Sequence, residues 1–186
     1  MQLTPGMIES EDGMVPPQLL ADLFYSVHAP AAYRFSGKSN PDDPFGFWLA
    51  KIDSEILNAV PAFKQLWLTI DQHITHGAYR IYHMLVNANN FGDCPTVHVD
   101  IPADKPDAEG YYTVLYYAND EWQADWAGET VFYNDQRDDI VRSVYPRPGR
   151  ITVFDSRIPH VSRTPSRNCP MVRYTIAIKV VGKDQV

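Results

Sequence analysis

Residues Tyr111–Tyr117 have the sequence YYTVLYY, a run of mostly β-branched and aromatic residues that follows Gly110 and precedes Asn119 and Asp120. Such a run between turn-forming residues is typical of a buried β-strand. Seven further segments after Gly77 have strand-like composition and are separated by turns that carry Gly, Pro, Asn and Asp: Ala78–Val86, Thr96–Ile101, Glu129–Tyr133, Ile140–Val144, Arg150–Phe154, His160–Ser162 and Met171–Val180.

The chain before Gly77 has mostly helical patterning. Pro17–His28 and Pro61–Thr75 carry apolar residues at helical spacing, with Pro61 suited to the first helical position and Gly77 to the C-cap. A helix is also predicted from Gly46 to Leu57, after an irregular loop over residues 29–46. Helices followed by about eight short strands predict an α+β domain, in which two antiparallel sheets form a jelly roll and the helices brace one sheet.

The length and composition favour one globular domain. A chain of 186 residues can bury a substantial core, so we expect a single domain over residues 1–186, with 1–76 as mostly helical support and 77–183 as the jelly-roll core. The formal charge of −7 argues against general nucleic-acid binding, although a local basic patch around Arg163 and Arg167 stays open.

The cysteine count and the absence of apolar spans suggest a cytoplasmic location. Cys94 and Cys169 are too few for a disulfide framework and fit a reducing compartment. The N-terminal residues lack the charged and apolar regions of a signal peptide, and the apolar runs are far too short to cross a membrane. We therefore expect a cytoplasmic protein without a membrane partner.

The motif His98-Val99-Asp100, followed sixty residues later by His160, predicts a metal site. Side chains at positions i and i+2 of a strand point the same way, so His98 and Asp100 can hold one ion together. With a second histidine from another strand they form two imidazoles and one carboxylate, the facial triad of non-haem Fe(II) oxygenases. The pair alone would equally suit a core histidine and a turn-forming aspartate, and His160 favours the metal site.

Arg173 is a candidate for binding an anionic ligand. Period-two alternation places Arg173, Thr175, Ala177 and Lys179 on one face of the last strand. A buried arginine is costly without a partner, and this segment offers no acidic residue. Its planar guanidinium suits a carboxylate held at two points, with the Thr175 hydroxyl beside it. The alternative is an edge-strand arginine that points to water.

These residues resemble the Fe(II)/2-oxoglutarate-dependent dioxygenases of the prolyl 4-hydroxylase-like type. The resemblance runs from about Tyr82 to Val180, in six pieces that occur in order: 96–100, 112–117, 126–132, 148–155, 159–162 and 173–175. It implies a double-stranded β-helix, which is the jelly roll predicted above. It also implies that Fe(II) is bound by His98, Asp100 and His160, and that 2-oxoglutarate is held by Arg173 with Thr175.

The second contact to the co-substrate departs from the family pattern. Many relatives have a tyrosine on the strand before the metal motif, where this chain has Asn89. Tyr82, earlier on the same strand, could replace that tyrosine, or Asn89 could contribute its amide. Both residues therefore stay candidates for binding 2-oxoglutarate.

The resemblance implies a hydroxylase that consumes O2 and 2-oxoglutarate and releases succinate and CO2. We expect the target to be an aliphatic C–H of a prolyl-like or amino-acid-like group, in a free small molecule or a peptide. The family's halogenases leave the position of Asp100 vacant for chloride, so its carboxylate favours hydroxylation. The alternatives are a non-oxidative, cupin-like sensor or small-molecule binding protein, and an isomerase with Mn²⁺ or Zn²⁺.

Several other residues near the motifs have both structural and functional interpretations. Residues 29–50 and 101–128 are expected to form the walls of the substrate site. Trp122 and Trp126 suit packing of a long turn better than substrate binding, and Cys94 suits a small buried filler. Arg157, Arg163 and Arg167 could bind an anionic substrate or be solvated loop charges. His73, His76 and His83 have no matching partners and are not predicted as ligands.

Overall fold

The computed structural model describes residues 1–28, 33–101 and 109–185. The described residues contain the α-helices α1 (Pro17–His28), α2 (Ser54–Ala59) and α3 (Pro61–Ile70). They also contain ten strands: β1 (Ile8–Glu11), β2 (Arg34–Gly37), β3 (Phe47–Lys51), β4 (Tyr79–Asn89), β5 (Tyr111–Tyr117), β6 (Thr130–Tyr133), β7 (Ile140–Val144), β8 (Ile151–Asp155), β9 (His160–Ser162) and β10 (Arg173–Gly182). No helix within these ranges has the length and apolar character needed to cross a membrane.

The strands form two antiparallel sheets. The large sheet has seven strands in the order β1-β8-β5-β10-β4-β3-β2, and the small sheet has three in the order β7-β6-β9. Several strands that are distant in sequence pair with each other, as where Ile8 of β1 faces Phe154 of β8. The α+β class and the jelly roll with bracing helices are therefore as predicted.

Two apolar cores lie on opposite faces of the large sheet. On the outer face, α1 and α3 pack through residues such as Leu23 and Leu66 against Val114 and Ile176 of the central strands. On the inner face, the large sheet packs against the small sheet through a smaller cluster: Leu115, Tyr117, Phe132, Val144, Phe154 and Ala177. The central strands are covered on both sides, which explains why YYTVLYY is apolar without alternation.

Alternation along β10 decides which side chains reach the space between the sheets. Ile176, Ile178 and Val180 point to the helices. Residues 173, 175, 177 and 179 point the other way, since successive side chains of a strand alternate between faces. The polar residues of β10 are thereby aimed at the interior of the jelly roll, where charged groups are costly unless they find partners.

Most predicted elements occur within two residues of their predicted ends. Helix α1 and the strands Tyr111–Tyr117, Ile140–Val144 and His160–Ser162 have the predicted bounds. The predicted helix Pro61–Thr75 consists of α3 and a π-helical turn over Asp71–Thr75. The C-cap predicted at Gly77 lies one residue earlier, at His76, and both residues have a positive φ.

Three local predictions were wrong. The predicted helix Gly46–Leu57 is the strand β3 followed by α2: the aromatic start pairs with β4, and the carboxylate of Asp53 caps the new helix by accepting from the Ile56 N–H. The predicted loop 29–46 contains β2, although residues 29–32 lie outside the described residues. The predicted strand Thr96–Ile101 is reduced to an isolated bridge at His98.

Candidate active site

The backbone brings His98, Asp100 and His160 together between the two sheets. His160 begins β9, and His98 pairs with it through backbone N–O distances of 3.0 and 2.9 Å in the two directions. The N–H of Asp100 donates to the carbonyl oxygen of Ser156 at 2.8 Å. These bonds place the two residues of the metal motif on the same side as His160, which is the arrangement that a full strand was predicted to give.

Backbone carbonyls fix the orientation of both imidazoles. The Nδ1–H of His98 donates to the carbonyl oxygen of Thr96 at 2.9 Å, and that of His160 donates to Ile158 at 3.0 Å. With Nδ1 protonated, each ring presents the lone pair of Nε2, the form in which imidazole binds a metal. Burial, with the neighbouring His160 adding to its effect, lowers the pKa of His98 to about 4, so His98 is neutral at pH 7.

The three potential ligands converge on one point. Nε2 of His98 lies 3.6 Å from Oδ1 of Asp100, and Nε2 of His160 lies 3.5 Å from Oδ2. One donor atom from each residue lies within 4.8 Å of the others. Two imidazole nitrogens and a carboxylate at this separation fit a divalent ion held on one face, with its other positions open.

Two neighbours control the Asp100 carboxylate. The ammonium of Lys179 lies 2.6 Å from Oδ1, and the hydroxyl of Thr113 donates to Oδ2 at 2.9 Å. Burial acts to raise the pKa of Asp100, but Lys179 and the two histidines outweigh it and hold the pKa well below its usual range. The carboxylate is therefore ionised and oriented as a metal ligand requires.

Arg173 is fully buried and has no acidic partner among the described residues. Its Nε donates to the carbonyl oxygen of Gly128 at 2.6 Å, and Nη2 donates to the hydroxyl of Thr130 at 3.0 Å. Nη1 lies 3.3 Å from the hydroxyl of Ser162, and the guanidinium lies 5.5 Å from the centre of the Tyr117 ring. Burial lowers the pKa of Arg173 below its usual value. A buried cation held by neutral groups is a binding site for an anion.

Two polar groups beside Arg173 lack hydrogen-bond partners. The hydroxyl of Thr175 and the amide oxygen of Asn89 are buried and unpaired within the part of the chain that the structure describes. Asn89 faces Arg173 across the β4–β10 pair and lines the cavity. Since buried polar groups are nearly always paired, the Asn89 amide oxygen in the cavity wall indicates a ligand with polar atoms at this position. The Thr175 hydroxyl lies behind the lining, as Arg173 does.

Tyr82 lies elsewhere. It is the extra residue of a β-bulge, because His83 pairs with Lys179 and Ile81 with the next residue of β10. Its hydroxyl donates to the carbonyl oxygen of Asp100 at 2.8 Å, and it is not among the residues that line the cavity. Of the two candidates for a second co-substrate contact, the structure brings Asn89 to the cavity and gives Tyr82 a role in holding the Asp100 backbone.

The triad and the Arg173 region share one cavity of about 210 Å³. Arg173 itself lies behind the lining, and the hydroxyls of Thr130 and Ser162 connect it to the cavity. Pockets for drug-sized ligands measure roughly 300–1,000 Å³, so this cavity suits something smaller. A protein target would have to enter it as a single side chain.

Four polar residues of this site were not predicted as parts of it: Thr113, Thr130, Ser162 and, as a neighbour of the metal ligands, Lys179. Ser162 could have been found, because it lies two residues after His160 on the same strand and therefore on the same face. Thr130 faces Ser162 across β6 and β9, a pairing that the sequence alone does not specify. Thr113 is the one polar residue of YYTVLYY that is not aromatic, and nothing else in the sequence indicates its role.

Most of the remaining candidates lie outside the cavity lining. Trp122 and Trp126 are buried and pack edge to face at 5.5 Å, which is the predicted packing role. Arg157 is paired with Asp155 at 2.7 Å, and Arg163 donates to the Tyr133 hydroxyl. Other candidates have different positions: Cys94 is exposed, whereas a buried filler was predicted, and His83 lines the cavity. Of the predicted substrate walls, residues 29–32 and 102–108 lie outside the described residues.

Comparisons with known proteins agree with this site. Residues 83–178 match the sequence profile of the 2OG-Fe(II) oxygenase superfamily. A prolyl hydroxylase from Trichoplax adhaerens, solved with a peptide fragment of the hypoxia inducible factor oxygen degradation domain, superposes with a TM-score of 0.71 at 20% identity over 95% of this chain and 84% of that one. A Pseudomonas putida prolyl-4-hydroxylase gives 0.65 at 18% identity, over 96% and 94% of the two chains. A 2OG-Fe(II) oxygenase family protein from Burkholderia pseudomallei gives 0.65 at 15% identity, over 94% and 84%.

The matched region covers more than half of the chain and includes the whole metal motif, so the chain belongs to the 2OG-Fe(II) oxygenase superfamily. It is a 2-oxoglutarate-dependent dioxygenase, whose cofactor is Fe(II) and whose co-substrates are 2-oxoglutarate and O2. No curated protein matches it by sequence. The solved structures are too distant in sequence to carry more than the fold.

Proposed function

We propose that the protein hydroxylates an aliphatic C–H of a prolyl-like or amino-acid-like group, free or in a peptide, with release of succinate and CO2. One observation carries this proposal: a buried arginine, which has no acidic partner within residues 1–28, 33–101 and 109–185, lies in the same cavity region as the triad and is joined to it through Ser162. A metal-binding sensor needs the triad alone. An enzyme that consumes 2-oxoglutarate also needs a cation for the distal carboxylate, and Arg173 supplies one.

We propose His98, Asp100 and His160 as the ligands of Fe(II), and Arg173, Thr175 and Asn89 as contacts of 2-oxoglutarate. The tautomers of the two histidines and the ionised state of Asp100 support the first assignment. The hydroxyl of Thr175 and the amide oxygen of Asn89, which have no hydrogen-bond partner in the described part of the chain, support the second. We further propose that residues 1–186 act as one domain, since β1, β2 and β3 extend the same sheet as the core strands.

In this proposal the metal supplies the oxidation of an unactivated C–H bond. The residues of the chain bind the co-substrate and the substrate and hold them in a fixed orientation. Arg173 would bind the distal carboxylate of the co-substrate and so hold it in one position in the cavity. Thr113 and Lys179 hold Asp100 in one orientation. Phe132 and Phe154 pack around the His160 ring and exclude water from it.

Succinate release tests this function. Purified protein with Fe(II) should convert 2-oxoglutarate to succinate in air and not under anaerobic conditions. With substrate found by screening cell extract, turnover under ¹⁸O₂ should place one labelled oxygen in the product and one in succinate. A product without label, formed without 2-oxoglutarate, would identify a hydrolase or isomerase instead. Metal binding with no succinate in air would favour a sensor.

A further inference from the structure

The cavity carries two lysines that the metal and the co-substrate do not require. Lys179 lies on its inner wall, with 18% of its side chain exposed, and Lys38 is exposed at its edge. Among the described residues that line the cavity, Asp100 is the only acidic one. The site therefore contains more positive charge than its own side chains balance.

This excess remains after both ligands are bound. The two charges of Fe(II) and the charge of Arg173 are matched by Asp100 and the two carboxylates of 2-oxoglutarate. Among the described lining residues, Lys179 and Lys38 are then left without a balancing charge. In a site shielded from water such charges act strongly on whatever enters.

Lys179 also has hydrogen-bonding capacity to spare. An ammonium has three N–H donors, and within the described ranges its only partner is Oδ1 of Asp100 at 2.6 Å. His83 faces Lys179 across the β4–β10 pair, and both side chains line the cavity. Burial lowers the pKa of His83, with Lys179 and Lys51 adding to the effect, so this imidazole is neutral and has one N–H to donate. Lys179 and His83 together can hold a small anion beside the metal site.

We propose that Lys179, assisted by His83 and by Lys38 at the edge, binds a carboxylate of the substrate next to the C–H that reacts. This inference rests on the proposed function and narrows it to acidic substrates. The cavity of about 210 Å³ also has to hold the metal and the co-substrate, so it leaves room for a small acid or the end of a peptide rather than for a folded surface. The carboxylate belongs either to a free amino-acid derivative or to the C-terminal residue of a peptide.

Matched acid and amide probes test this proposal by binding rather than turnover. The protein is loaded with redox-inert Zn(II) and saturating 2-oxoglutarate. Binding of N-acetylproline and N-acetylprolinamide is then measured by ligand-observed NMR, and the same pair is measured as the C-terminal residue of an acetylated tripeptide. We expect the acid to bind about ten- to a hundred-fold more tightly than the amide, as for a charge-assisted contact. The tighter of the two acids shows whether the carboxylate belongs to a free compound or a peptide.

Variants assign the preference to Lys179. Lys179→Met should abolish the preference for the acid, and Lys179→Arg should retain part of it. Lys51→Met removes an exposed lysine charge near His83 but outside the cavity and should leave the preference intact. Thermal unfolding and competition for Zn(II) with a chelator establish that each variant is folded and loaded.

Three results would overturn the proposal. Equal binding of acid and amide, or no binding of either acid, would show that Lys179 does not form an anion site. A preference that persists in Lys179→Met, together with weaker Zn(II) binding, would reduce Lys179 to positioning Asp100. Succinate release by the iron-loaded wild type is scored separately. A protein that releases succinate but shows no acid preference contradicts only this inference, and one that prefers acids but releases no succinate contradicts only the proposed function.

Discussion

Arg173 packs directly against Gly128, whose carbonyl oxygen accepts from the arginine Nε at 2.6 Å. A Cβ at position 128 would lie 3.2 Å from Cδ of Arg173 and 2.9 Å from a ring carbon of Trp122. The glycine also has a φ of +87°, a conformation that side chains rarely adopt. The guanidinium is therefore positioned by a residue that tolerates no side chain, at a turn far from the metal motif in sequence.

Gly128→Ala should lower the stability by about 1–3 kcal/mol because of its backbone strain, and it should also displace Arg173. We expect both a lower Tm and a higher Kd for 2-oxoglutarate, measured by calorimetry on Zn(II)-loaded protein. Gly13→Ala is the control, since Gly13 has a φ of +77° and nothing within 4 Å of its added Cβ. An equal rise in Kd in both variants would show that strain alone, and not the contact with Arg173, is responsible.

Arg173→Ala should weaken 2-oxoglutarate binding by about ten- to a hundred-fold, the worth of a charge-assisted contact of roughly 1.5–3 kcal/mol. Arg173→Lys should recover only part, because an ammonium cannot reproduce the planar fork. Metal affinity should hardly change. The exposed Arg163 provides the matched control as Arg163→Ala. An unchanged Kd in Arg173→Ala would place the carboxylate elsewhere, with Lys179 the next cation along β10.

The sequence predicted the strands best where their composition matches their surroundings on both faces. YYTVLYY is covered by helices on one side and by the small sheet on the other, so every one of its residues is buried and its composition shows this. The segment Gly46–Leu57 misled because its apolar spacing suits a helix, whereas pairing with β4 makes its first half a strand. Such pairing depends on distant residues, and local propensity does not contain it.

The same distinction separates the predicted from the missed residues of the site. His98, Asp100 and His160 form a sparse pattern with few structural explanations, and Arg173 stands out in an apolar strand. Thr130, by contrast, acts only because β6 brings it beside Ser162 and Arg173. A threonine in a strand is ordinary, so nothing marks it before the sheet is assembled.

His98→Ala and His160→Ala should each remove most of the Fe(II) binding and leave the fold intact. Loss of a direct ligand should exceed the roughly 10–100-fold loss that follows removal of a supporting residue. Anaerobic titration with Fe(II) measures the affinity, and far-UV circular dichroism reports the fold. His73→Ala, at an exposed position, is the control. Undiminished iron affinity in both triad variants would contradict the assignment of these ligands.

Asp155 predicts a pH-dependent contribution to stability. Burial acts to raise its pKa, but the hydrogen bonds from Arg157 and the N–H of Gly6 outweigh it and lower the pKa below 3.8. A carboxyl with a lowered folded-state pKa stabilises the protein above its unfolded pKa of about 3.9, and that contribution is lost as the pH falls through the folded value.

Asp155→Asn should therefore lower the free energy of unfolding at pH 7 by about 1.5–3 kcal/mol, as expected for hydrogen bonds to a charged group. The difference from wild type should shrink below about pH 4, where the wild-type carboxyl becomes protonated. Urea unfolding across this pH range measures it. Asp42→Asn, at an exposed residue, is the control. A difference that is constant with pH would show that the charge of Asp155 does not contribute.

The carboxylate of Asp100 should determine the outcome of the reaction. It occupies the position that would have to be empty for a halide to bind, so wild-type protein should give hydroxylated product and no chlorinated product even in high chloride.

Asp100→Gly would leave the ammonium of Lys179, now 2.6 Å from Oδ1, beside a vacant position. We expect this variant to retain some metal through its two histidines, to lose hydroxylation, and to bind chloride more tightly than wild type. Mass spectrometry of the products and chloride titration of the Zn(II)-loaded protein measure these effects, with Asp100→Asn as a variant that fills the position without charge. Full hydroxylation by Asp100→Gly would show that Asp100 is not a required ligand.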